Sequence, residues 1–363
     1  MKHESLKLIL SALITCTGHT AAHGEIFKTL EIEASSPKED LRKKIFGAKL
    51  SQRACEILAK DPSVETIGSD VTLQNTVRGI IEALRTNNEK TLRDYFNPRS
   101  KVKSGHVLAS MAGLKKITGP NLSITNYRTV ALNSPDGGTA PIECEDTGVL
   151  IHPLYGYPLT VGVWLQASGD SEVARVFAEL VPDEKSWTIG AWHIQQWTHA
   201  GKDFVQWYQL GQEEAQKARK GSAFIAADIA SKLLDGGGFL VFPIKTDADQ
   251  LRDSQMTREA WFQTIKASFP SDNVIYAGTL FAREGAGVLI RFGIPGELSA
   301  NVIKEHCQSR LKLAQEKEWA SQIAGIRCSY NLPREDSKRE GVLGGLYVAK
   351  SDHAAVPSKE IIK

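Results

Sequence analysis

The stretch WTIGAWHI, residues 187–194, decides the predicted fold of the first half of the chain. Successive side chains of a strand point to opposite sides, so residues 187, 189, 191 and 193 are predicted to share one face. This alternation is typical of a strand in a sheet with one covered face and one face that is open or lines a pocket. It places His193 on the same side as Trp187 and Ile189.

Four more runs of residues precede this strand and are also predicted to be strands. They are rich in Val, Ile, Thr and aromatic residues, and turn-forming Gly, Pro, Asn and Asp separate them. The runs are Leu122 to Leu132, Ile142 to His152, Leu159 to Ala167 and Val173 to Leu180. Because the loops between them are short, we expect an antiparallel meander.

The segment before the strands is predicted to be helical. Between Leu73 and Phe96 apolar residues recur at spacings of three and four, with a break at Thr86-Asn87-Asn88. A second helix is predicted from His106 to Ile117. Residues 25–72 are predicted to form a polar, mostly helical lead-in to this unit.

Helices followed by a strongly curved antiparallel sheet resemble the nuclear transport factor two-like superfamily, also called SnoaL-like or cystatin-like. The helix Val77 to Leu84, the segment Leu92 to Phe96 and the strand Trp187 to Ile194 carry the resemblance, which covers residues 73–200. The resemblance implies a cone-shaped domain with a cavity that binds ligands or partners. A minority of the superfamily are enzymes.

The rest of the chain is predicted to contain a helical pair and a second, smaller α+β domain. Residues 202–234 have a helical pattern with a break at Lys220-Gly221-Ser222, and Asp235-Gly236-Gly237-Gly238 then marks a domain boundary. The second domain is predicted to run strand (239–244), helix (257–267), paired strands (274–283 and 287–294), helix (299–318) and strands (326–331 and 342–348).

The predicted fold class is therefore α+β: helices packed on a curved antiparallel sheet, followed by a smaller α+β domain. The first domain and its trailing helical pair span residues 73–235, and the second domain spans residues 239–350. Residues 351–363 are predicted to be a disordered tail.

The N-terminus predicts export. Lys2 and Lys7 precede an apolar run from Leu8 to Ile14, and small residues follow near Ala22. This order is typical of a removable signal peptide, here over residues 1–24. The run is much shorter than the roughly 20 residues that span a bilayer, so we expect no transmembrane span in the mature chain. Lipid attachment through Cys16 remains an alternative to a periplasmic or secreted product.

Four cysteines remain after removal of the signal peptide. In an oxidising compartment this even number favours pairing, and Cys307 lies in a predicted helix while Cys328 lies in the predicted strand that follows it. A bridge between these two is one prediction. The alternative is that Cys55, Cys144, Cys307 and Cys328 are four buried, unpaired thiols.

Charge and sequence patterns narrow the function classes. The 363 residues include 44 basic and 42 acidic residues spread along the chain, and the net charge of +2 argues against nucleic acid as a partner. The sequence contains no zincin helix, nucleotide-binding loop or nucleophile elbow. It therefore predicts neither a metal nor another cofactor.

Most of the candidate site residues lie around the end of the last strand of the first domain, and Tyr155 lies in an earlier turn. His193 is a candidate acid or base, with Asp203 setting its tautomer, although a histidine in the core is the simpler interpretation. Trp192, Trp197 and Tyr155 are candidates for contact with a ligand or partner. The alternative is that the tryptophans only cover the sheet.

The sequence leaves three functions open. The first is a non-catalytic exported protein that binds a small molecule or a protein partner, with the second domain positioning it or forming a homodimer. The second is a SnoaL-like cavity enzyme, a hydrolase or isomerase that uses His193 and Asp203. The third is a structural, envelope-associated protein without a cavity.

Overall fold

A computed structural model describes residues 53–59, 70–100, 104–145, 147–184, 186–282, 284–294, 296, 298–332, 341–351 and 356–357. These residues form eight α-helices and mostly antiparallel sheets, which confirms the predicted α+β fold class.

Five strands form the first sheet. They are β1 (Ala54–Ala59), β2 (Ser123–Asn133), β5 (Leu159–Ser168), β6 (Ala174–Pro182) and β7 (Trp187–Gln196). Their order in the sheet is β1-β2-β5-β6-β7, and every neighbouring pair is antiparallel. Strands β2, β5, β6 and β7 therefore form an antiparallel meander as predicted, but the run 142–152, which the prediction included, lies outside this sheet.

Three helices cover one side of this sheet, which we call the near face. They are α1 (Val71–Arg85), α2 (Glu89–Asp94) and α3 (Ser104–Thr118). Asp70 caps α1 by accepting from the amides of Thr72 and Leu73, and its second oxygen accepts from Trp187 Nε1 at 3.1 Å. This carboxylate therefore ties the start of the helix to the last strand.

The near face is an apolar core. Leu73, Val77, Ile80 and Leu84 recur at helical spacing on α1, and all are at most 2% exposed. They pack against alternate residues of the strands, namely Val161, Val163, Leu165, Val176, Ala178, Leu180 and Ile189. The interface between α1 and the sheet is therefore filled with apolar side chains.

A small second sheet packs on the opposite side of the first, which we call the far face. Its strands are β3 (Ile142–Cys144), β4 (Val149–Ile151) and β8 (Leu240–Val241), in the order β3-β4-β8. Apolar residues of this sheet share a cluster with Val130, Leu132, Trp164 and Phe177 of the far face. The run from 142 to 152, predicted as one strand, is thus a hairpin of two short strands.

Two β-bulges change which side chains share a face. The pairing of β2 with β5 skips Tyr127, and the pairing of β6 with β7 skips Gly190. Each extra residue reverses the alternation beyond it. Trp192 therefore lies on the near face with Trp187, and His193 lies on the far face. The prediction that His193 shares a face with Trp187 is wrong for this reason.

The second half of the chain contributes five helices and a five-stranded sheet. The helices are α4 (Phe204–Gln216), α5 (Lys220–Leu233), α6 (Ile244–Gln255), α7 (Arg258–Ser268) and α8 (Ala300–Gln315). The strands are β9 (Val274–Ala282), β10 (Gly285–Gly293), β11 (Ile323–Leu332), β12 (Gly341–Ala349) and β13 (Val356–Pro357). Their order is β13-β12-β11-β10-β9, with β10 parallel to β11 across α8 and the other pairs antiparallel.

The helical pair α4 and α5 shares its core with the sheet formed by β9 to β13. Phe224, Ile225 and Ile229 of α5 belong to the same buried cluster as Val288 and Ile290 of β10. The break in the pair falls at residues 217–219, just before the predicted position. The division of the chain into two domains remains a prediction.

Two pairs of cysteines lie at disulfide-bonding distance. The sulfur atoms of Cys307 and Cys328 are 2.01 Å apart and join α8 to β11, as one of the two sequence predictions has it. Those of Cys55 and Cys144 are 1.95 Å apart and join β1 to β3. The alternative of four unpaired thiols is wrong.

Three predicted segments differ from the structure. Residues 54–59 fall in the predicted helical lead-in, but they form β1, because they pair with β2 and Cys55 bonds Cys144. The predicted strand 239–244 is only Leu240–Val241, and helix α6 follows at once. Val356–Pro357, in the predicted disordered tail, pairs with β12.

The predicted signal peptide and the lipidation alternative at Cys16 lie outside the described residues. Within the described part of the chain, no helix has both the length and the apolar character needed to cross a bilayer.

Candidate functional site

The structure gives His193 and Asp203 separate partners. His193 Nε2 donates to the backbone carbonyl of Asp235 at 2.9 Å, which holds the ring against the loop after α5. Asp203 is the N-cap of α4: its carboxylate accepts from the amide of Gln206 at 3.0 Å, and the Gln206 side chain accepts from the amide of Asp203. The carboxylate expected to set the tautomer of His193 therefore stabilises a helix end.

His199, four residues before Asp203, joins the two halves of the chain. Its Nε2 donates to the carbonyl of Gly285, the first residue of β10, at 2.7 Å, and its ring stacks on Trp207. Burial lowers the pKa of this imidazole, so the neutral form is favoured. This histidine has the environment of a core residue.

The three aromatic candidates lie in different environments. Trp192 is buried on the near face against Phe96, with the ring centroids 6.0 Å apart. Tyr155 is 62% exposed on the loop between β4 and β5. Trp197 lies just beyond β7 on the far face, where its ring contacts a charged side chain, Arg175. Of the three, only Trp197 belongs to a polar constellation.

Arg175 is held between two aromatic rings. Its guanidinium carbon lies 3.5 Å from the centroid of the Trp197 ring and 3.9 Å from the centroid of the Tyr127 ring. Both distances are within the range of cation–π contacts. We call Tyr127, Arg175 and Trp197 the Arg175 clamp.

The Arg175 clamp carries a positive charge without a described acidic partner. The cross-strand neighbours of Arg175 are Gln166 and Gln195, and the titratable groups that act on it within the described residues are Tyr127 and Arg128. Its Nε is buried and has no hydrogen-bond partner among those residues. A guanidinium in this environment favours an anion.

Burial is the main influence on the charge of Arg175. Burial lowers the pKa of its guanidinium, the Tyr127 side chain opposes this effect, and the charge of Arg128 lowers the pKa further. Arginine stays protonated even so, because its pKa starts far above neutrality. The cost of keeping this charge would fall when an anion binds beside it.

Two local features build the clamp. Tyr127 is the extra residue of the bulge in β2. It precedes Arg128, which pairs with Trp164 of β5. Trp197 is fixed by the hydrogen bond from its amide to the carbonyl of Val173 at 2.8 Å. Neither Arg128 nor Arg175 was predicted as a site residue. Residues 127, 175 and 197 come together only through strand pairing, and no short pattern joins them.

A buried carboxyl lies on the same face of β6, four residues beyond Arg175. Glu179 is fully buried; its Oε1 accepts from Thr160 Oγ1 at 2.6 Å and from the amide of Leu154 at 3.0 Å. Its Oε2 has no hydrogen-bond partner among the described residues. Burial raises the pKa of Glu179 to about 7, although the two hydrogen bonds oppose the shift.

A small cavity lies beside the end of β6 that contains Pro182, with a volume of about 90 Å³. It is lined by Asn97, Pro98, Arg99, Tyr157, Pro182 and Asp183. This volume holds only about three water molecules. The cavity is therefore smaller than the several hundred Å³ typical of ligand pockets.

No protein-family model, curated protein or solved structure matches this chain. The resemblance to the nuclear transport factor two-like superfamily remains a prediction from the sequence pattern.

Proposed function

We propose that this protein is an exported, non-catalytic binding protein that holds a small anionic molecule at the Arg175 clamp. One observation carries the proposal: a partly buried guanidinium lies between two aromatic rings, with a buried, unpaired Nε and no acidic partner among the described residues. An uncompensated cation in such a place is costly unless a ligand of opposite charge binds.

The environments of the histidines favour binding over catalysis. A general base must reach a substrate proton, and a dyad needs its orienting carboxylate within hydrogen-bond distance. His193 donates to a backbone carbonyl and Asp203 caps a helix. These contacts support the non-catalytic function over the alternative of a hydrolase or isomerase.

The disulfide pairs support export. Two cysteine pairs at bonding distance fit an oxidising compartment, in which exported proteins keep such bonds. Mass spectrometry of the exported protein tests this part. We expect an N-terminus near residues 22–24, and recovery of intact Met1 from the cytosol would contradict export.

Thermal denaturation with a panel of salts tests the anion site. We expect acetate, benzoate or phosphate to raise the melting temperature of the purified chain relative to chloride at equal ionic strength, because a ligand that binds only the folded state stabilises it. Arg175→Gln should abolish the rise.

The matched control is Arg85→Gln, which removes an exposed arginine that pairs with Glu82 at 2.6 Å. This variant should respond to the anions as the original chain does. The anion proposal is wrong if no anion stabilises the chain, or if Arg175→Gln responds as strongly as the control.

A further inference from the structure

We infer that the group bound at the Arg175 clamp is a carboxylate, held flat between the two rings, and that Tyr127 selects it against tetrahedral oxyanions. This inference rests on the proposed function and adds the chemical class of the ligand and a residue that determines specificity.

The direction in which Arg175 can donate follows from the stacking. The ring centroids lie only 3.5 Å and 3.9 Å from the guanidinium carbon. Because two rings this close cannot share one face, they must cover opposite faces of the guanidinium. The N–H groups of a guanidinium all lie in its plane. A ligand must therefore approach edge-on, in the layer between Tyr127 and Trp197.

Only a flat group fits this approach well. A carboxylate presents two coplanar oxygens that match the fork of a guanidinium in a bidentate pair. Phosphate and sulfate also pair with arginine, but their remaining oxygens project above and below the plane, towards the rings. The two rings should therefore weaken binding of a tetrahedral anion more than binding of a carboxylate.

The two walls of the clamp differ in rigidity. Trp197 packs against Phe204 and Phe242, with centroids 5.9 Å and 6.3 Å apart, so its position is fixed by the core. Tyr127 is 41% exposed on its bulge. The outer wall, Tyr127, can therefore be removed without opening the core, which makes it the residue to test.

Charge alone does not explain the selection. Arg128 lies close enough to act on the charge of Arg175, and its own positive charge favours anions of either shape. Discrimination between carboxylate and phosphate therefore depends on the shape of the layer between the rings.

Isothermal titration calorimetry at constant ionic strength tests the inference. Acetate and benzoate are titrated against the full chain, then inorganic phosphate and sulfate. We expect the carboxylates to bind at least about tenfold more tightly, equivalent to roughly 1.4 kcal/mol. Tyr127→Ala should reduce this ratio several-fold and retain binding of both classes, because Arg175 and Arg128 remain.

Two further variants separate shape from charge. Arg175→Lys keeps the charge but loses the planar fork, so carboxylate affinity should fall about tenfold or more. Tyr276→Ala removes a tyrosine that also lies beside a guanidinium, that of Arg291 at 4.9 Å, but outside the clamp, and the ratio should stay unchanged.

The outcomes separate this inference from the proposed function. If phosphate binds as tightly as acetate and Arg175→Gln abolishes both, the anion site stands and the carboxylate inference is wrong. An unchanged ratio in Tyr127→Ala would contradict the role given to Tyr127. If neither class of anion binds, both the site and the inference are wrong.

Discussion

The two faces of the first sheet are built from the same strands, yet they hold different chemistry. On the near face, α1 to α3 cover the strands with a continuous apolar core. On the far face, the strands carry Arg128, Arg175, Glu179, His193 and Gln195 among apolar residues. Short strands and loops cover this face instead of long helices.

The difference shows that the elements packed on a sheet face determine whether polar side chains can be buried there. A helix satisfies its own backbone groups and offers only side chains to a sheet. Loops offer free backbone groups: the carbonyl of Asp235 accepts from His193, and the amide of Leu154 donates to Glu179. Polar side chains can therefore be buried on the far face, and the clamp lies there.

The largest expected effect tests the near face. Ile80→Ala removes a side chain that is 1% exposed in the core between α1 and the sheet, and it should lower the free energy of unfolding by about 2–5 kcal/mol. Chemical denaturation measures the change. Leu108→Ala on α3, where the side chain is 53% exposed, is the control and should cost under about 1 kcal/mol. Equal effects of the two would contradict the packing described for this face.

The second prediction tests the buried carboxyl of the far face through pH. The pKa of Glu179 rises from 4.5 to about 7 on folding, so the folded chain holds the proton more tightly than the unfolded chain does. Its contribution to stability is complete below pH 4.5 and is lost as the pH rises through about 7. Glu179→Gln, which cannot ionise, should be more stable than the original chain by about 3 kcal/mol at pH 8.

The same variant should differ little from the original chain at pH 4.5, where the Glu179 side chain is neutral in the folded state. Urea denaturation at the two pH values measures the difference. Glu82→Gln, an exposed carboxylate paired with Arg85, is the control and should show a much smaller dependence on pH. A stabilisation by Glu179→Gln that is equal at both pH values would show that ionisation is not its cause.

The smallest expected effect concerns the carboxylate that the sequence analysis assigned to His193. Asp203→Ala removes the N-cap of α4 and should lower the free energy of unfolding by about 1 kcal/mol. Asp203→Asn retains a capping oxygen and should cost less. If both substitutions cost the same, the capping oxygen is not what matters at this position.

Much of the fold could be predicted from local patterns. Helix α1 follows from the spacing of Val77, Ile80 and Leu84, and it ends before α2 where Asn87 has a positive φ of 53° and Asn88 caps α2. The β9–β10 hairpin follows from its turn. These elements depend on residues close in sequence, so their signals are readable.

The elements that were predicted wrongly depend on contacts with residues far away in the sequence. Residues 54–59 have a loose helical pattern, but pairing with β2 and the bond from Cys55 to Cys144 make them a strand. The bulge at Gly190 also cannot be predicted from the local sequence, because pairing with β6 sets the register. Periodicity describes one segment at a time, and a partner can override it.

The candidate site was predicted in one residue only. Trp197 was singled out as an aromatic contact, but Tyr127, Arg128 and Arg175 were not. An arginine in a strand usually indicates a solvated position. The burial of Arg175 between two rings depends on the bulge at Tyr127 and on the strands and loops that pack on the far face.

The sequence by itself determined the α+β class, the helices that cover the near face and the order of the meander, because hydrophobic periodicity and turn residues act over a few positions. Only the tertiary structure decided which side chains share a face and where, among the described residues, a charge is left without an acidic partner. Both depend on strand register and on burial, which arise from contacts between residues far apart in the chain.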